Sequence, residues 1–269
     1  DIDDRAAQLA YFAVMMKARQ YDRQFFSRKD ENGDLIVIQP HVHAIVESGH
    51  TDKNGKKHKN YDEYALDYFC NGDMKLKTVM DTIISELHDA KEYGSILTIT
   101  PQDWSVLYNR FAEIEDDIHL YREKALNELL PLVQVSEALA QKYDVVVTNP
   151  PYMGASGMSG KLSSFVKKKY PDTKSDMSTI MMERTLEMST YCGYVSMINI
   201  PVWMFLSSYE KMRISMLHNN MIINMVHPGR GIFGSDFGTT TFVISKTYIR
   251  NYVGRYQRLF DSQGEVHSV

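Results

Sequence analysis

The sequence predicts an α/β fold on a doubly wound, largely parallel sheet, and three observations carry that prediction. From about residue 142 onward, strand-sized apolar runs alternate with helix-period segments, the rhythm of strand–helix–strand units. Tyr143–Thr148 (YDVVVT) reads as a continuous apolar strand of the kind buried on both faces in a parallel sheet. The last two strands, Met221–Val226 and Thr239–Ser245, flank a Gly-rich loop at 229–238 that contains no helix, so they are expected to pair antiparallel.

The elements follow in chain order. Asp4–Tyr21 reads as a helix, because Leu9, Phe12, Ala13 and Met16 recur at helical spacing and Asp3 or Asp4 stands ready to cap it. Leu35–Val46 is apolar and β-branched and predicts a strand, interrupted by Pro40. Gly49–Asn60 is polar and rich in Lys and His, an exposed loop. Residues 61–141 predict a helical block. Thr100-Pro101-Gln102-Asp103 marks one helix start within it, and Leu120, Ala125, Leu129, Leu132 and Leu139 continue an apolar stripe to its end. Beyond Thr148 the pattern predicts a polar loop, a helix near Asp176–Tyr191, a strand at Tyr194–Ile200 and a helix over about Val202–His218.

Composition excludes several classes. With 43% hydrophobic and 24% charged residues among 269, neither wholesale disorder nor a collagen-like chain is tenable. No apolar run reaches the ~18–20 residues that span a bilayer, so no membrane association is expected. The opening Asp1-Ile2-Asp3-Asp4-Arg5 is the reverse of a basic signal-peptide start. Two cysteines, Cys70 and Cys192, lie outside any CxxC and point to a reducing, cytoplasmic setting. A formal charge of −4 argues against holding DNA by bulk electrostatics, although it is silent about local patches. His41 and His43 would share a strand face, but no third ligand has suitable spacing, so no metal site is expected.

The chemistry concentrates in Asn149-Pro150-Pro151-Tyr152, directly after YDVVVT. In open α/β sheets ligands bind at the carboxyl ends of strands, which is where this tetrapeptide falls. By residue usage it arises by chance in roughly one in a thousand chains of this length, so a mere Pro-Pro turn is the weaker explanation. An exocyclic amine on a nucleobase is a poor nucleophile because its lone pair is conjugated into the ring. An Asn side-chain oxygen and the adjoining backbone carbonyl each accept one amine hydrogen, drawing the nitrogen toward sp3 and freeing the lone pair for an electrophilic methyl. Proline cannot donate a hydrogen bond, and its fixed φ holds the carbonyl direction. Tyr152 can stack on the flat ring, worth ~1–3 kcal/mol. Such a site works through fixed dipoles instead of a strong base.

These residues resemble an S-adenosylmethionine-dependent amino-methyltransferase with a Rossmann-like sheet. The longer strings NPPYMGASGMSGKL, YPDTKSDMS, GYVSMINIPVWMFLSSYEKMR and TTTFVISK are similar to the adenine-specific DNA methyltransferases of BREX phage-exclusion systems (PglX-type). The resemblance covers essentially the whole chain and is densest from 143 to 245. It implies that Asn149, Pro150, Pro151 and Tyr152 form the catalytic loop. Asp1 then matches the acid that bonds the cofactor ribose, and Asp3 either meets the cofactor adenine or caps the first helix. Phe233 is the aromatic expected to pack on the flipped base, with Phe237 second, and Glu47 is a further candidate at the cofactor adenine. Base methylation further requires extrusion of the base from duplex DNA. The loop after the motif carries Lys161, Lys167, Lys168, Lys169 and Lys174 against Asp172, a local positive charge suited to phosphate contact. The Lys/His cluster at 53–59 is a weaker DNA candidate. The resemblance also implies other defence-system proteins as partners.

The same comparison of motifs divides the chain. Residues 1–60 are expected to open a methyltransferase core whose first strand and Gly-rich cofactor loop are missing. Residues 61–141 read as a helical insertion, 142–250 as the catalytic half of the core, and 251–269 as a tail toward a further region. On that reading these residues alone bind S-adenosylmethionine no more tightly than roughly millimolar. Two other functions compete: an amine methyltransferase acting on protein glutamine or RNA, which uses similar loops, and a noncatalytic scaffold that keeps the fold without a complete cofactor site.

Overall fold

The computed structural model describes residues 2–36, 38–232 and 238–261. They divide into two compact units, Asp1–Ala140 and Gln141–Val269.

The first unit is helical. Helix α1 (Asp4–Tyr21) starts where Asp3 accepts hydrogen bonds from the Arg5 and Ala6 amides, satisfying donors that a helix leaves open at its first turn. Its predicted apolar stripe is not a packing face: Ala7 is its one buried residue, and Leu9 and Phe12 are exposed. The strand predicted at Leu35–Val46 does not form. Pro40 has no amide to donate, the Val42 amide folds back onto the Pro40 carbonyl, and only an isolated bridge joins Lys29 to Leu35. His41 and His43 therefore lie on an irregular segment, their rings stacked at 6.4 Å. The loop expected at Gly49–Asn60 is instead a β-hairpin of β1 (Gly49–Thr51) and β2 (Lys57–Lys59), with His50 directly opposite His58.

The helical block over 61–141 is observed. It comprises α2 (Glu63–Cys70), α3 (Met74–Glu86), α4 (Ala90–Tyr93), α5 (Trp104–Glu115), α6 (Arg122–Lys124) and α7 (Leu130–Ala140). Asp62 and Asp73 cap α2 and α3, each accepting from two backbone amides. Helix α5 begins at Trp104, after Asp103; Thr100, expected as the cap, donates its hydroxyl to Glu86 at 2.5 Å instead. A π-helical turn at Ala125–Leu129 joins α6 to α7. The ladder changes pitch just before Pro131, whose ring cannot supply an amide hydrogen. Phe69 and Phe111 pack at 4.4 Å in the core with buried Met80, Ile83, Leu107 and Leu129.

The second unit is α/β, with a five-stranded mixed sheet. Strands β3 (Tyr143–Thr148), β4 (Ser189–Asn199), β5 (Met221–Gly229), β6 (Thr239–Ser245) and β7 (Arg255–Arg258) lie in the order β3-β4-β6-β5-β7. Helices α8 (Gly160–Lys169) and α9 (Met177–Met188) connect β3 to β4, and α10 (Glu210–Asn219) connects β4 to β5. The β3–β4 pair is parallel, and β5 and β6 pair antiparallel as expected, with Val226 opposite Thr241. Helix α10 is shorter than predicted, because Pro201–Met204 and Ser207–Tyr209 form 3-10 turns before it.

Two strands of this unit also depart from the sequence expectation. Strand β3 has one sheet neighbour among the described residues, and Val145 and Val147 are 57% and 70% exposed, so it is not buried on both faces. Strand β7, which no apolar run announces, pairs with β5 in parallel from Asn224↔Arg255 to His227↔Arg258. The sheet is covered by methionines of the two long helices, with Met181, Met182, Met212 and Met216 all buried. No described helix is long and apolar enough to cross a membrane.

Candidate catalytic loop

Strand β3 delivers Asn149-Pro150-Pro151-Tyr152 to its carboxyl end. Asn149 and Pro151 are exposed, Pro150 is buried and Tyr152 is half-buried. The Tyr152 hydroxyl donates to Asn149 Oδ1 at 2.9 Å and lies 3.4 Å from the Ile198 carbonyl at the end of β4. Burial raises the Tyr152 phenol above its usual range, so it stays a neutral donor.

The chain beyond Tyr152 is sewn to the start of α9. Met177 donates its amide to the Met153 carbonyl at 2.9 Å, Ala155 donates to the Ser175 carbonyl at 3.0 Å, and Gly154 bridges Asp176 antiparallel. Asp176 in turn caps α9, accepting from the Ser178 amide at 2.8 Å and hydroxyl at 2.6 Å. The loop is thus held by a strand end at one side and a capped helix start at the other.

Asn199 is a structural residue that motif reasoning missed. It is fully buried at the end of β4, donates to the Ser178 carbonyl at 3.2 Å and accepts from the Ile200 amide at 2.7 Å. Thr240 of β6 donates its hydroxyl to the Asn199 carbonyl at 3.1 Å. These bonds lock the β4 end, which carries the Ile198 carbonyl, to α9 and β6. The sequence signal was present as one polar residue inside the apolar run Met197-Ile198-Asn199-Ile200.

The lysines sit on regular structure. Lys161, Lys167, Lys168 and Lys169 belong to α8, a helix where a loop was expected. All four are exposed, and Leu162 and Val166 form the buried face. Lys167, Lys168 and Lys169 occupy the last turn, where cations complement the helix dipole. Lys174 is exposed in the following turn.

Of the residues matched to a cofactor, Asp3 spends Oδ1 on the Arg5 and Ala6 amides at 2.7 and 3.3 Å, which makes it the cap of α1. Glu47 receives the Lys91 amide at 3.4 Å. Asp1, Phe233 and Phe237 lie outside the described residues. Among the described residues no group of three or more His, Cys, Asp or Glu is placed to hold a metal.

The chain carries NPPY at the carboxyl end of a strand in a five-stranded α/β sheet, and its residues 1–233 match the Eco57I restriction-modification methylase family, to which it belongs. It is 36% identical over 282 residues to the adenine-specific methyltransferase BrxX of Escherichia coli O9:H4 (strain HS), covering 98% of this chain and 23% of that protein. It is 34% identical over 275 residues to the adenine-specific methyltransferase PglX of Lacticaseibacillus casei (strain Zhang), covering 98% and 21%. The chain thus spans less than a quarter of the length of these relatives. Among solved structures, it aligns at 15% identity and a TM-score of 0.33 with a type I restriction-modification methyltransferase subunit from Streptococcus thermophilus, over 63% of this chain and 43% of that one.

Proposed function

We propose that this chain handles the target amine in an adenine-N6 DNA methyltransferase of a phage-defence system, working in the cytoplasm on duplex DNA. The observation that carries the reading is the exposed Asn149 carboxamide at the end of β3, held through its oxygen by the Tyr152 hydroxyl. An Asn oxygen has two lone pairs. One accepts from Tyr152, and the other is left to accept one hydrogen of an adenine amine. The adjoining backbone carbonyl, stiffened by two prolines, takes the second hydrogen.

Drawing both hydrogens aside breaks the conjugation of the nitrogen lone pair with the ring. The same dipoles stabilise the positive charge that grows on nitrogen as a new bond forms. No side chain here needs to act as a strong base, since the alkylated nitrogen is acidic enough to lose its proton to water. S-adenosylmethionine, the methyl donor implied by the family, supplies an electrophilic methyl group when bound. Extrusion of the base from the duplex brings the amine within reach of the loop, and Lys161, Lys167, Lys168 and Lys169 of α8 serve as phosphate contacts beside it. Phe233 is the aromatic for the second face of the base. Residues 61–141 serve as a helical insertion and 142–250 as the catalytic half.

Asn149→Ala in the natural full-length chain tests the reading. Methyl transfer to duplex DNA is expected to fall by at least two orders of magnitude, the size of effect seen when a preorganised polar group at the reacting atom is removed. Binding of DNA is expected to survive. Methylation at near the parent rate would overturn the proposal.

A further inference from the structure

The β1–β2 hairpin is the feature of the first unit for which the methyl-transfer chemistry has no use. Its eleven residues, Gly49 to Lys59, contain four lysines and two histidines against one acid, Asp52. In a chain of net charge −4 this is a local concentration of the opposite sign. Asp52 offsets only one of these charges, and its carboxylate is engaged inside the hairpin. One oxygen accepts the Asn54 and Lys56 amides at 2.9 Å each and closes the turn; the other meets the His58 ring at 3.1 Å. Lys59 pairs with Glu63. Lys53, Lys56 and Lys57 are exposed and make no ion pair with any described residue.

The ribbon is mounted rigidly. The Thr51 amide and hydroxyl donate to the two oxygens of Asp89 at 2.7 and 2.9 Å, and the Asp89 amide donates back to the Gly49 carbonyl at 2.8 Å. The Ser48 hydroxyl donates to the Ile84 carbonyl at 2.6 Å. At Gly49 even one methyl group would strike the His58 carbonyl, so the strands close only on glycine. The His50 and His58 rings stack across the pair at 5.0 Å. Beside the ribbon runs a groove walled by Lys57, Lys59, Tyr61 and His88.

We propose that this hairpin is a second DNA contact of the protein, gripping the phosphate backbone of duplex DNA through Lys53, Lys56 and Lys57. Lys57 and Lys59 point from the same face of β2, and residues two apart on a strand stand roughly 6.6 Å apart. That is about two steps of the phosphate charge on one strand of a duplex, which carries one charge per ~3.4 Å of axis. A rigid ribbon holds its charges without the ordering cost of a loose loop. The partner, duplex DNA, follows from the methyltransferase reading; the placement of the contact rests on the hairpin alone.

The test is fluorescence anisotropy of a labelled duplex of ~20 base pairs titrated with this chain between roughly 50 and 200 mM salt. The variant Lys53→Ala/Lys56→Ala/Lys57→Ala is expected to bind on the order of tenfold more weakly at low salt. Its plot of log affinity against log salt should be shallower by about 2 to 3, since each neutralised phosphate contributes ~0.9. Its thermal midpoint should match the parent, because none of the three side chains supports the fold. A triple variant with parental affinity and slope overturns the hairpin contact, as does a parent chain that binds no duplex or prefers RNA of equal length. Should the triple variant lose DNA while Asn149→Ala still methylates, the amine chemistry fails and the hairpin stands.

Discussion

The Tyr152 hydroxyl donates to the Asn149 side-chain oxygen across two prolines at 2.9 Å. The bond decides which way the carboxamide faces. Its oxygen, and not its NH2 group, is turned toward the donor, and the oxygen is the atom that the proposed amine contact uses. The tyrosine thereby has two separable parts, a ring able to stack on a base and a hydroxyl that orients its neighbour.

Tyr152→Phe keeps the ring and deletes the hydroxyl. A net hydrogen bond of ~1 kcal/mol corresponds to about fivefold, so kcat for methyl transfer in the full-length chain should fall roughly three- to tenfold with KM for DNA little changed. Tyr152→Ala should also raise KM, through lost stacking of ~1–3 kcal/mol. Steady-state kinetics on both variants separate the roles, and a Phe variant with parental kcat would show that the orienting bond is unimportant.

Glu183 offers a pH test in the second unit. It lies half-buried on α9 between α10 and the Asp172 turn, where burial pushes its carboxyl up against the opposing pull of the Thr173 hydroxyl at 2.7 Å. The nearby Glu187 and Asp172 push the same way, and Lys169 opposes them. A carboxyl raised in the folded state favours the protonated fold, so this contribution is present in full below the unfolded value of ~4.3 and is lost as pH rises through the folded value. Glu183→Gln imitates the protonated form. Its melting temperature should exceed the parent's at pH 7 to 8, with the gap closing toward pH 4; a gap independent of pH would contradict the assignment.

The two cysteines should differ sharply toward alkylation. Cys70 is buried at the end of α2, and burial pushes its thiol up to about 11, leaving almost no thiolate near neutrality. Cys192 is exposed, in a left-handed conformation (φ 64°) where the β3–β4 register shifts. Iodoacetamide followed by peptide mass spectrometry should label Cys192 within minutes and Cys70 only after denaturation. Equal labelling of both in the native protein would contradict the burial of α2.

Hydrophobic period and turn chemistry carried most of the second unit. The strands at 143–148 and 239–245 have the bounds that their apolar runs suggest, and NPPY falls at the strand end that sheet topology favours for ligands. These are local properties, decided by side-chain sequence over six to eight positions. The block at 61–141 was legible as helices because apolar residues recur along it, whereas the capping Asp62 and Asp73 emerged only in the structure.

What depended on distant partners was not legible. The apolar segment 35–46 has strand composition, but a strand needs a neighbour, and Pro40 removes an amide where one would pair. The polar segment 49–59 lacks an apolar pattern, yet it forms a hairpin because Asp89 holds Thr51 from 38 residues away and the Ile84 carbonyl holds the adjoining Ser48 from 36 residues away. Strand β7 is exposed at all four positions and is recognisable only by the β5 edge it joins. The sequence by itself pointed to an amine-methylating family, through NPPY after a strand and the longer strings around it. Only the tertiary structure decided that Tyr152 aims Asn149, that Asp3 rather than Asp4 caps the first helix and that the lysine cluster at 53–59 is carried by a hairpin, because each of these is a distance between groups that the chain order leaves open.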